Sequence, residues 1–349
     1  MKDTSSLSRL RLASLLLCCA AGAATLRADT ITIAATGGAL TDGGTVSGFN
    51  AGFSFQLHPA LTDAGEVVFF ATAAGTAVSS DRGIFLGTGG PLTTVARKGA
   101  LTPDGVNAFD TFAQPAVNHS GHILFHGSEG SPAVPVLYRF SPMGGDEVAR
   151  QGEAVPGAVS PSDVFFGFPR MAQHPPAPNA AGDFPFYASW GFSQEGFFLG
   201  SGAGLRSLVI SGENVDGGQW SAFADHTGLN DSGVFAFAGS LNYPGLSLRN
   251  ALFLGQAGAG GGFTSQQLAR EGDAVPGGNG QFGAFSVHEP VNAAGQFRLQ
   301  LGSGRNQRRR HGQRGAFPRQ RQRTHPHREA RPATAHGPEP ACINGFFHA

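Results

Sequence analysis

Three histidines occupy similar places along this 349-residue chain, each three residues after a phenylalanine. Imidazole nitrogens are common metal ligands, so three such side chains brought together could hold a transition metal. A three-residue step along a regular strand, however, turns the histidine to the face opposite the phenylalanine. We therefore expect no bound metal or other cofactor, and the weak candidate ligands are His58, His226 and His288.

Carboxylates near the repeated turns raise calcium as a second candidate, because Ca²⁺ prefers oxygen ligands. The chain has no D-x-D-x-D series of ligands, and a carboxylate after a turn glycine is common without a metal. Calcium stays the less favoured alternative for Asp231, Glu153, Glu213 and Asp273.

Three other acidic residues do not recur along the chain, as expected of catalytic groups carried by a repeated scaffold: Asp163, Asp183 and Glu195. A pair of carboxylates less than about 10 Å apart can hydrolyse a glycosidic bond. The chain has no G-x-S-x-G nucleophile elbow, no HExxH zinc motif, and no phosphate-binding glycine loop between a strand and a helix. The sequence therefore favours a protein that is not an enzyme, with these three residues as weak catalytic candidates.

Arginines recur in a V-A-R-x-G-x-x-x-P motif, at Arg97, Arg150 and Arg270. We predict a structural role in which each arginine pairs with a carboxylate of the next copy of the repeat. A ring of arginines that binds a substrate is the alternative. Two degraded copies, with Ala35 and Ser211 in the arginine position, weaken the idea of a symmetric ring.

The arginine motif is one of three signals that recur in fixed order. An aromatic strand such as GIFLG at 83–87 is the second, and an N-x-x-G turn before an apolar run is the third. The turns follow one another at steps of 56, 61, 51 and 62 residues, and a threonine variant begins at Thr62. Asparagine can bond its own backbone and glycine accepts positive φ, so the tetrapeptide suits a hairpin loop. The turn residues are Asn118 and Gly121, Asn179 and Gly182, Asn230 and Gly233, and Asn292 and Gly295.

The composition favours strands throughout the repeated region. The chain has 53 glycines, which weaken helices, and 29 phenylalanines, which suit a half-buried strand. Each copy reads as four antiparallel strands, and an aromatic-x-x-aromatic segment opens it. Four strands per unit are typical of a propeller blade. We predict an all-β, propeller-like fold of five copies with the last one incomplete, and a β-solenoid or irregular β-array is the alternative.

The combination of N-x-x-G-x-x-x-F spacing with V-A-R-x-G-x-x-x-P-G resembles secreted bacterial tandem-repeat proteins named for their NxxGxxAF motif. The resemblance covers residues 33–301. It implies an exported protein of a group without a known function, whose members often end in a sorting anchor such as the PEP-CTERM type. This sequence shows no such anchor.

The N-terminus has the pattern of a secretory signal peptide. Basic residues precede an apolar run that is too short for a membrane span, and the small residues around Ala21–Ala23 suit a cleavage site. Two of the three cysteines fall in this segment and the third is Cys342, so the exported body would be held by its core without disulfides. We predict a signal peptide at 1–28, a secreted or extracytoplasmic location, and no transmembrane segment after cleavage.

The charge divides the remaining chain in two. Residues 1–304 carry 14 Lys and Arg against 22 Asp and Glu, whereas residues 305–349 carry 10 Arg against 2 Glu. The acidic balance argues against a nucleic-acid partner for the repeat domain, which we place at 29–304. The basic tail breaks off the fifth copy, and its composition indicates a disordered, frame-shifted segment. A genuine arginine-rich arm is the alternative.

The function predicted from these features is an exported, non-enzymatic binding or structural scaffold for an unknown surface or extracellular ligand. An extracytoplasmic glycan-active enzyme and a disrupted gene product without function are the two alternatives. The sequence leaves open the ligand, the oligomeric state and the number of copies in an intact parent.

Overall fold

The computed structural model describes residues 31–49, 59–75, 81–169, 171, 175–215, 217–245, 248–258, 262–276, 280–287, 291–297 and 300–301. The predicted signal peptide, the arginine-rich tail, His58 and His288 lie outside the described residues. The described regular structure is all β, and its strands form antiparallel sheets that follow one another along the chain. The predicted tandem β-repeat is therefore confirmed.

The first two sheets share one plan. Three long strands run in sequence order, a short opening strand pairs with the first of them, and a two-residue strand before the turn completes the set. Sheet 1 contains β1 (Thr45–Gly48), β2 (Ala60–Leu61), β3 (Val67–Ala74), β4 (Arg82–Gly87) and β5 (Thr93–Arg97). Sheet 2 contains β6 (Phe109–Phe112), β7 (Ala116–Val117), β8 (Ile123–Glu129), β9 (Val134–Ser141) and β10 (Gly144–Arg150).

The next sheets keep the same strand order. Sheet 3 contains β11 (Phe165–Gly167), β12 (Phe184–Trp190), β13 (Gln194–Ser201) and β14 (Gly204–Ile210). Sheet 4 contains β15 (Asn214–Val215), β16 (Gly218–His226), β17 (Val234–Asn242), β18 (Arg249–Ala257) and β19 (Phe263–Arg270). The described part of the fifth copy forms β20 (Phe285–Ser286) and β21 (Gln300–Leu301).

Consecutive sheets pack face to face through large aromatic side chains. Between sheets 2 and 3, for example, the rings of Phe186 and Phe198 in sheet 3 stack with their centroids 5.6 Å apart. They belong to one core cluster with the smaller Leu124 and Leu137 of sheet 2. Similar clusters join sheet 1 to sheet 2, sheet 3 to sheet 4, and sheet 4 to the fifth copy. Each fully buried phenylalanine contributes about 1.5–3 kcal/mol. A single sheet cannot bury both of its apolar faces, so the copies stabilise one another.

The same type of connector links each sheet to the next. The glycine of the V-A-R-x-G motif donates its N–H to the residue that opens the following copy, as Gly99 does to the Phe109 carbonyl at 2.8 Å. Its φ of +81° favours glycine. The same bond recurs from Gly37 to Val46, from Gly152 to Phe165, from Gly212 to Trp220, and from Gly272 to Phe282. The Gly37 bond shows that residues 33–43 form the first copy of the motif.

In sheets 1 to 4 the opening strand (β1, β6, β11 or β16) and the closing strand each contain a β-bulge, and these two strands form the edges of sheets 1 to 3, whereas in sheet 4 the short β15 pairs outside β16. In β10 the register passes from Glu147 to Ala149 while the partner strand advances by one residue, which leaves Val148 as the extra residue. Because the motif valine or its equivalent fills this place in each closing strand, V-A-R marks a bulge: Val95, Val148, Leu208 and Leu268. The opening strands have a second bulge at Ser47, Asp110, Phe166 and Ser221. Bulged edges are poor templates for pairing with another chain.

Each sheet thus has two distinct ends. The turn end carries the N-x-x-G turns, and the connector end carries the connectors and the turn between the two central strands. In sheet 2, β8 leaves the turn at Gly121 and ends at Glu129, whose carboxylate accepts a 3.0 Å hydrogen bond from the connector residue Asn107. In the described part of the chain, no helix is long and apolar enough to cross a membrane.

Candidate functional site

The N-x-x-G turns are built by one asparagine each, as the sequence predicts. The side-chain oxygen of Asn118 accepts the N–H groups of Ser120 and His122 at 2.9 and 2.8 Å. Gly121 closes the turn with a φ of +82°. The same pair of bonds recurs at Asn179, Asn230 and Asn292. The side chains at the turn end therefore differ between copies, with His119 and Ser120 in copy 2, Asp231 and Ser232 in copy 4, and alanines in copies 3 and 5.

The asparagine side chains also join neighbouring copies, which the sequence did not reveal. The amide nitrogen of Asn118 donates to the carbonyl oxygen of Asn179, and that of Asn230 donates to Asn292 at 2.9 Å. Asp231 links the intervening pair of turns by accepting the N–H of Ala180 at 2.7 Å. The turns of copies 2 to 5 consequently form a row along the turn end.

A groove of about 480 Å³ lies between the turns of copies 3 and 4. Its walls are polar at the rim, with Asp183, Arg206 and Asp231, and apolar at the base, with Leu199 and Leu229. The Arg206 guanidinium donates to the Gly258 carbonyl at 3.2 Å, which fixes it on one wall. This groove contains one of the candidate catalytic residues, Asp183.

An equivalent groove of about 420 Å³ lies between the turns of copies 1 and 2. Leu86 takes the place of Leu199 in the strand that forms its base, and His119 and Ser120 replace the turn residues Asp231 and Ser232. The rest of the lining combines hydroxyl groups and the Glu66 carboxylate with apolar side chains such as Val68, Ile123 and Phe140. Because the two grooves use equivalent positions, they are a property of the repeat.

Side chains fill the corresponding place between copies 2 and 3. Arg139, which stands where the other copies have leucine, donates to the Gly182 carbonyl at 3.2 Å and pairs with Asp146 at 2.7 Å. His122 packs against Gly182, where a Cβ would come within 2.7 Å of the imidazole. Burial, and next the nearby positive charge of Arg139, lower the pKa of His122. This plug is specific to copy 2.

The motif arginines pair within their own copy, so the predicted pairing with the next copy is wrong. Arg97 binds Asp81 at 2.6 Å and Asp42 at 2.7 Å. Asp42 lies in the connector that enters the same sheet. Arg270 reaches Asp273, three residues on, at 3.3 Å. Arg97 thus contacts the connector that enters its sheet, whereas Arg270 contacts the connector that leaves it.

The third copy has Ile210, rather than Ser211, in the arginine position. The N–H of Glu213 bonds the Ile210 carbonyl, as the N–H of Ala100 bonds that of Arg97. The prediction that Ser211 occupies the arginine position was wrong by one residue because the motif is degraded there.

Arg150 belongs to a buried ionic cluster that sequence reasoning missed. Its guanidinium pairs with Glu129, with Glu147 at 2.9 Å, and with Asp104 at 3.6 Å. Glu129 is fully buried and accepts the Tyr138 hydroxyl at 2.6 Å. Burial raises the pKa of Glu147 to about 7, opposed by Arg150 and assisted by the charge of Glu129. No repeated motif contains Glu129 or Glu147, so no sequence pattern indicated these residues.

Asp183 lies at the opposite end of sheet 3 from the other two candidate catalytic carboxylates, Asp163 and Glu195. Asp183 precedes β12 at the turn end, whereas Glu195 pairs with Ser189 six residues further along, which is about 20 Å at 3.3 Å per residue. Asp163 lies in the connector before β11. Glu195 bonds the Tyr187 hydroxyl and the Phe223 N–H, as a structural carboxylate does.

The histidine and calcium candidates also have local partners. His226 lies on the same face as Phe223, since both rings contact Phe197. The distance between ring centroids is 5.0 Å from Phe197 to His226 and 5.2 Å from Phe197 to Phe223. The expected opposite placement is wrong because the register shifts between these residues. The carboxylates of Glu153, Glu213 and Asp273 each accept the backbone N–H of the arginine position before them. Within the described ranges, no three metal-binding side chains cluster.

The fold and the row of turns define a class: an all-β protein of face-to-face tandem sheets with grooves between equivalent turns. A family model matches the chain twice, over residues 18–135 and 132–310. The chain belongs to this family, which is described as a family of unknown function, DUF7453. The two matches overlap at residues 132–135, where β8 is connected to β9 inside sheet 2, so each match spans more than one copy. No curated protein and no solved structure matches the chain.

Proposed function

We propose that this protein is an exported, non-enzymatic scaffold that binds an extended polar polymer in the grooves of its turn end. The observation that carries the proposal is the equivalence of the two grooves, since one repeating ligand can engage both. Two weak sites on one ligand give a much higher overall affinity than either alone. Asp183 and Glu195 do not form a catalytic pair of carboxylates, because they lie at opposite ends of their hairpin.

The groove chemistry favours a ligand rich in hydroxyl groups. Carboxylates, hydroxyls and backbone carbonyls line both grooves beside a leucine base. Such walls can exchange hydrogen bonds with many hydroxyls, whereas anionic ligands would meet Glu66, Asp183 and Asp231. A neutral polysaccharide of the cell envelope or extracellular space has this chemistry.

Copy 2 supplies the test, because its own arginine plug can be grafted into the open grooves. The variants Leu86→Arg and Leu199→Arg place an arginine in each groove at the repeat position that Arg139 occupies in copy 2. Affinity electrophoresis through gels that contain neutral dextran should show retardation of the parent chain and loss of it in the double variant. Equal mobility of parent and variant, with both folded by circular dichroism, would contradict the proposed site.

The same proposal includes the export of this chain and a propeller-like arrangement of its copies. The apolar N-terminal run and the resemblance to NxxGxxAF proteins support a secreted or surface location. Cell fractionation with N-terminal sequencing of the mature chain tests it, and a cytoplasmic chain that keeps Met1 would count against export. The face-to-face packing of the copies supports a propeller-like arrangement that is open at one place, because none of the clusters of described residues joins sheet 1 to the fifth copy. Small-angle X-ray scattering tests this, because a straight stack is longer than a ring.

A further inference from the structure

We propose that the connector end is a second interaction surface, which docks a protein segment with basic side chains interspersed among apolar ones. Ten large apolar side chains are exposed among the described residues, and six of them lie at this one end. Scattered single exposures are ordinary, but a concentration at one end marks an interaction site. The six are Leu101, Val106, Val159, Phe166, Phe192 and Leu248.

Copy 3 provides the centre of this surface. Phe192 and Val159 are fully exposed, and Phe166 is half-exposed because it is the bulge residue of β11. The pairing of Phe165 with Trp190 brings the bulge to the turn that carries Phe192. Val159 lies in the connector that enters the same strand.

The preceding copy extends the apolar surface. Leu101 and Val106 lie in the connector between sheets 1 and 2, which is held at this end by the Gly130 N–H bonding the Ala108 carbonyl at 3.1 Å. Val155, in the next connector, enters the core between sheets 2 and 3. The two connectors therefore lie on adjacent sheets at the same end.

The charges at this end determine the kind of partner. Around copies 2 and 3 the described cations at this end are already paired, Lys98 with Asp110 at 3.0 Å and Arg150 with three carboxylates. In the described structure, no cation lies within ion-pair distance of Glu153 and Asp163, which flank Val159. An apolar surface rimmed by carboxylates that no described cation neutralises is complementary to a basic, apolar segment. A second copy of this chain would bring like charges together, and an anionic membrane would be repelled.

Fluorescence anisotropy with a labelled peptide of alternating arginine and leucine tests the surface on the full chain. We expect binding that weakens with salt, and an affinity about tenfold lower for the double variant Phe192→Ser with Val159→Ser. The matched control is Leu61→Ser with Met143→Ser, which removes exposed apolar side chains from the turn end and should leave the affinity unchanged. Thermal melts verify that both variants fold.

Several results would overturn the inference. These are equal losses in the two variants, or equally tight binding of an alternating arginine–serine peptide. Self-association in sedimentation velocity that Phe192→Ser abolishes would assign the surface to a second copy. Retention on neutral phosphatidylcholine vesicles would assign it to lipid. The grooves of the turn end take no part, so these results leave the proposed scaffold function untouched.

Discussion

The buried side chains of Asn118 and Asn230 each accept two hydrogen bonds within their own N-x-x-G turn and donate one to the next copy. Asn118→Ala removes all three bonds and leaves two backbone N–H groups and the Asn179 carbonyl without those partners. We expect a loss of about 2–4 kcal/mol in the free energy of unfolding, measured by urea denaturation. Asn292→Ala is the control, because Asn292 is exposed and bonds only within its own turn. Equal losses would show that the bond between copies contributes nothing.

Two of the turn glycines allow the cost of backbone strain to be measured separately from the cost of steric overlap. Gly65 and Gly233 occupy equivalent positions with φ of +79° and +81°. A Cβ at Gly65 meets open space, whereas one at Gly233 would overlap the Ala257 carbonyl oxygen. Gly65→Ala should cost about 1 kcal/mol for the left-handed conformation alone. Gly233→Ala should cost distinctly more, and a similar urea midpoint for both variants would contradict the packing at the fourth turn.

A buried histidine makes stability depend on pH. Burial lowers the pKa of His126 to about 4, so the folded chain keeps it neutral where the unfolded chain, with an ordinary pKa of 6.5, takes up a proton. Stability should therefore fall as the pH drops from about 6.5 towards 4, by up to about 3 kcal/mol. Urea midpoints across this range measure the slope. His126→Phe should flatten it and exposed His119→Gln should not, while an unchanged slope in His126→Phe would refute the assignment.

Among the elements, the closing strands depend on the bulge that the motif valine provides. Deletion of Val148 would make β10 regular, flatten the edge of sheet 2 and change the path into Arg150. A flat edge pairs readily with other chains, so we expect concentration-dependent association in light scattering. Val148→Ala removes side-chain packing but keeps the bulge, and it should stay monodisperse. If both variants associate, or if neither does, the bulge is not what protects the edge of the sheet from pairing with another chain.

The strands were predictable from the sequence, but the contacts between copies were not. Turn asparagine and glycine, aromatic spacing and composition were enough to give four strands per copy, because these signals act within a few residues. The placement of His226 failed because a bulge reverses the side-chain alternation on which the prediction depended. The Glu129–Arg150 pair joins residues 21 positions apart on two strands, and neither residue type announces its partner. Non-local pairing of this kind needs the register, which a single sequence does not contain.

On the scale of the whole molecule, stability is a chain of contacts between neighbours. Each core cluster joins one sheet to the next, and none of the clusters of described residues joins the first sheet to the fifth copy. Interior sheets are therefore covered on both faces by large clusters, whereas the described part of the fifth copy has a two-residue ladder and one neighbour. In a stack with nearest-neighbour coupling, opening begins at the weakest terminal unit.

Native-state hydrogen exchange should follow this order. We expect amides of β20 to exchange first, those of sheet 1 next, and those of β12, β13, β17 and β18 last, because the latter strands lie between two packed faces. Phe198→Ala, in the core between sheets 2 and 3, should raise exchange in sheet 3 and its two neighbours by removing about 3–5 kcal/mol of packing. Exchange rising equally in every copy would show a single cooperative unit, as expected for a closed ring. A graded rise centred on sheet 3 would show that the tandem copies are coupled only through the faces they share.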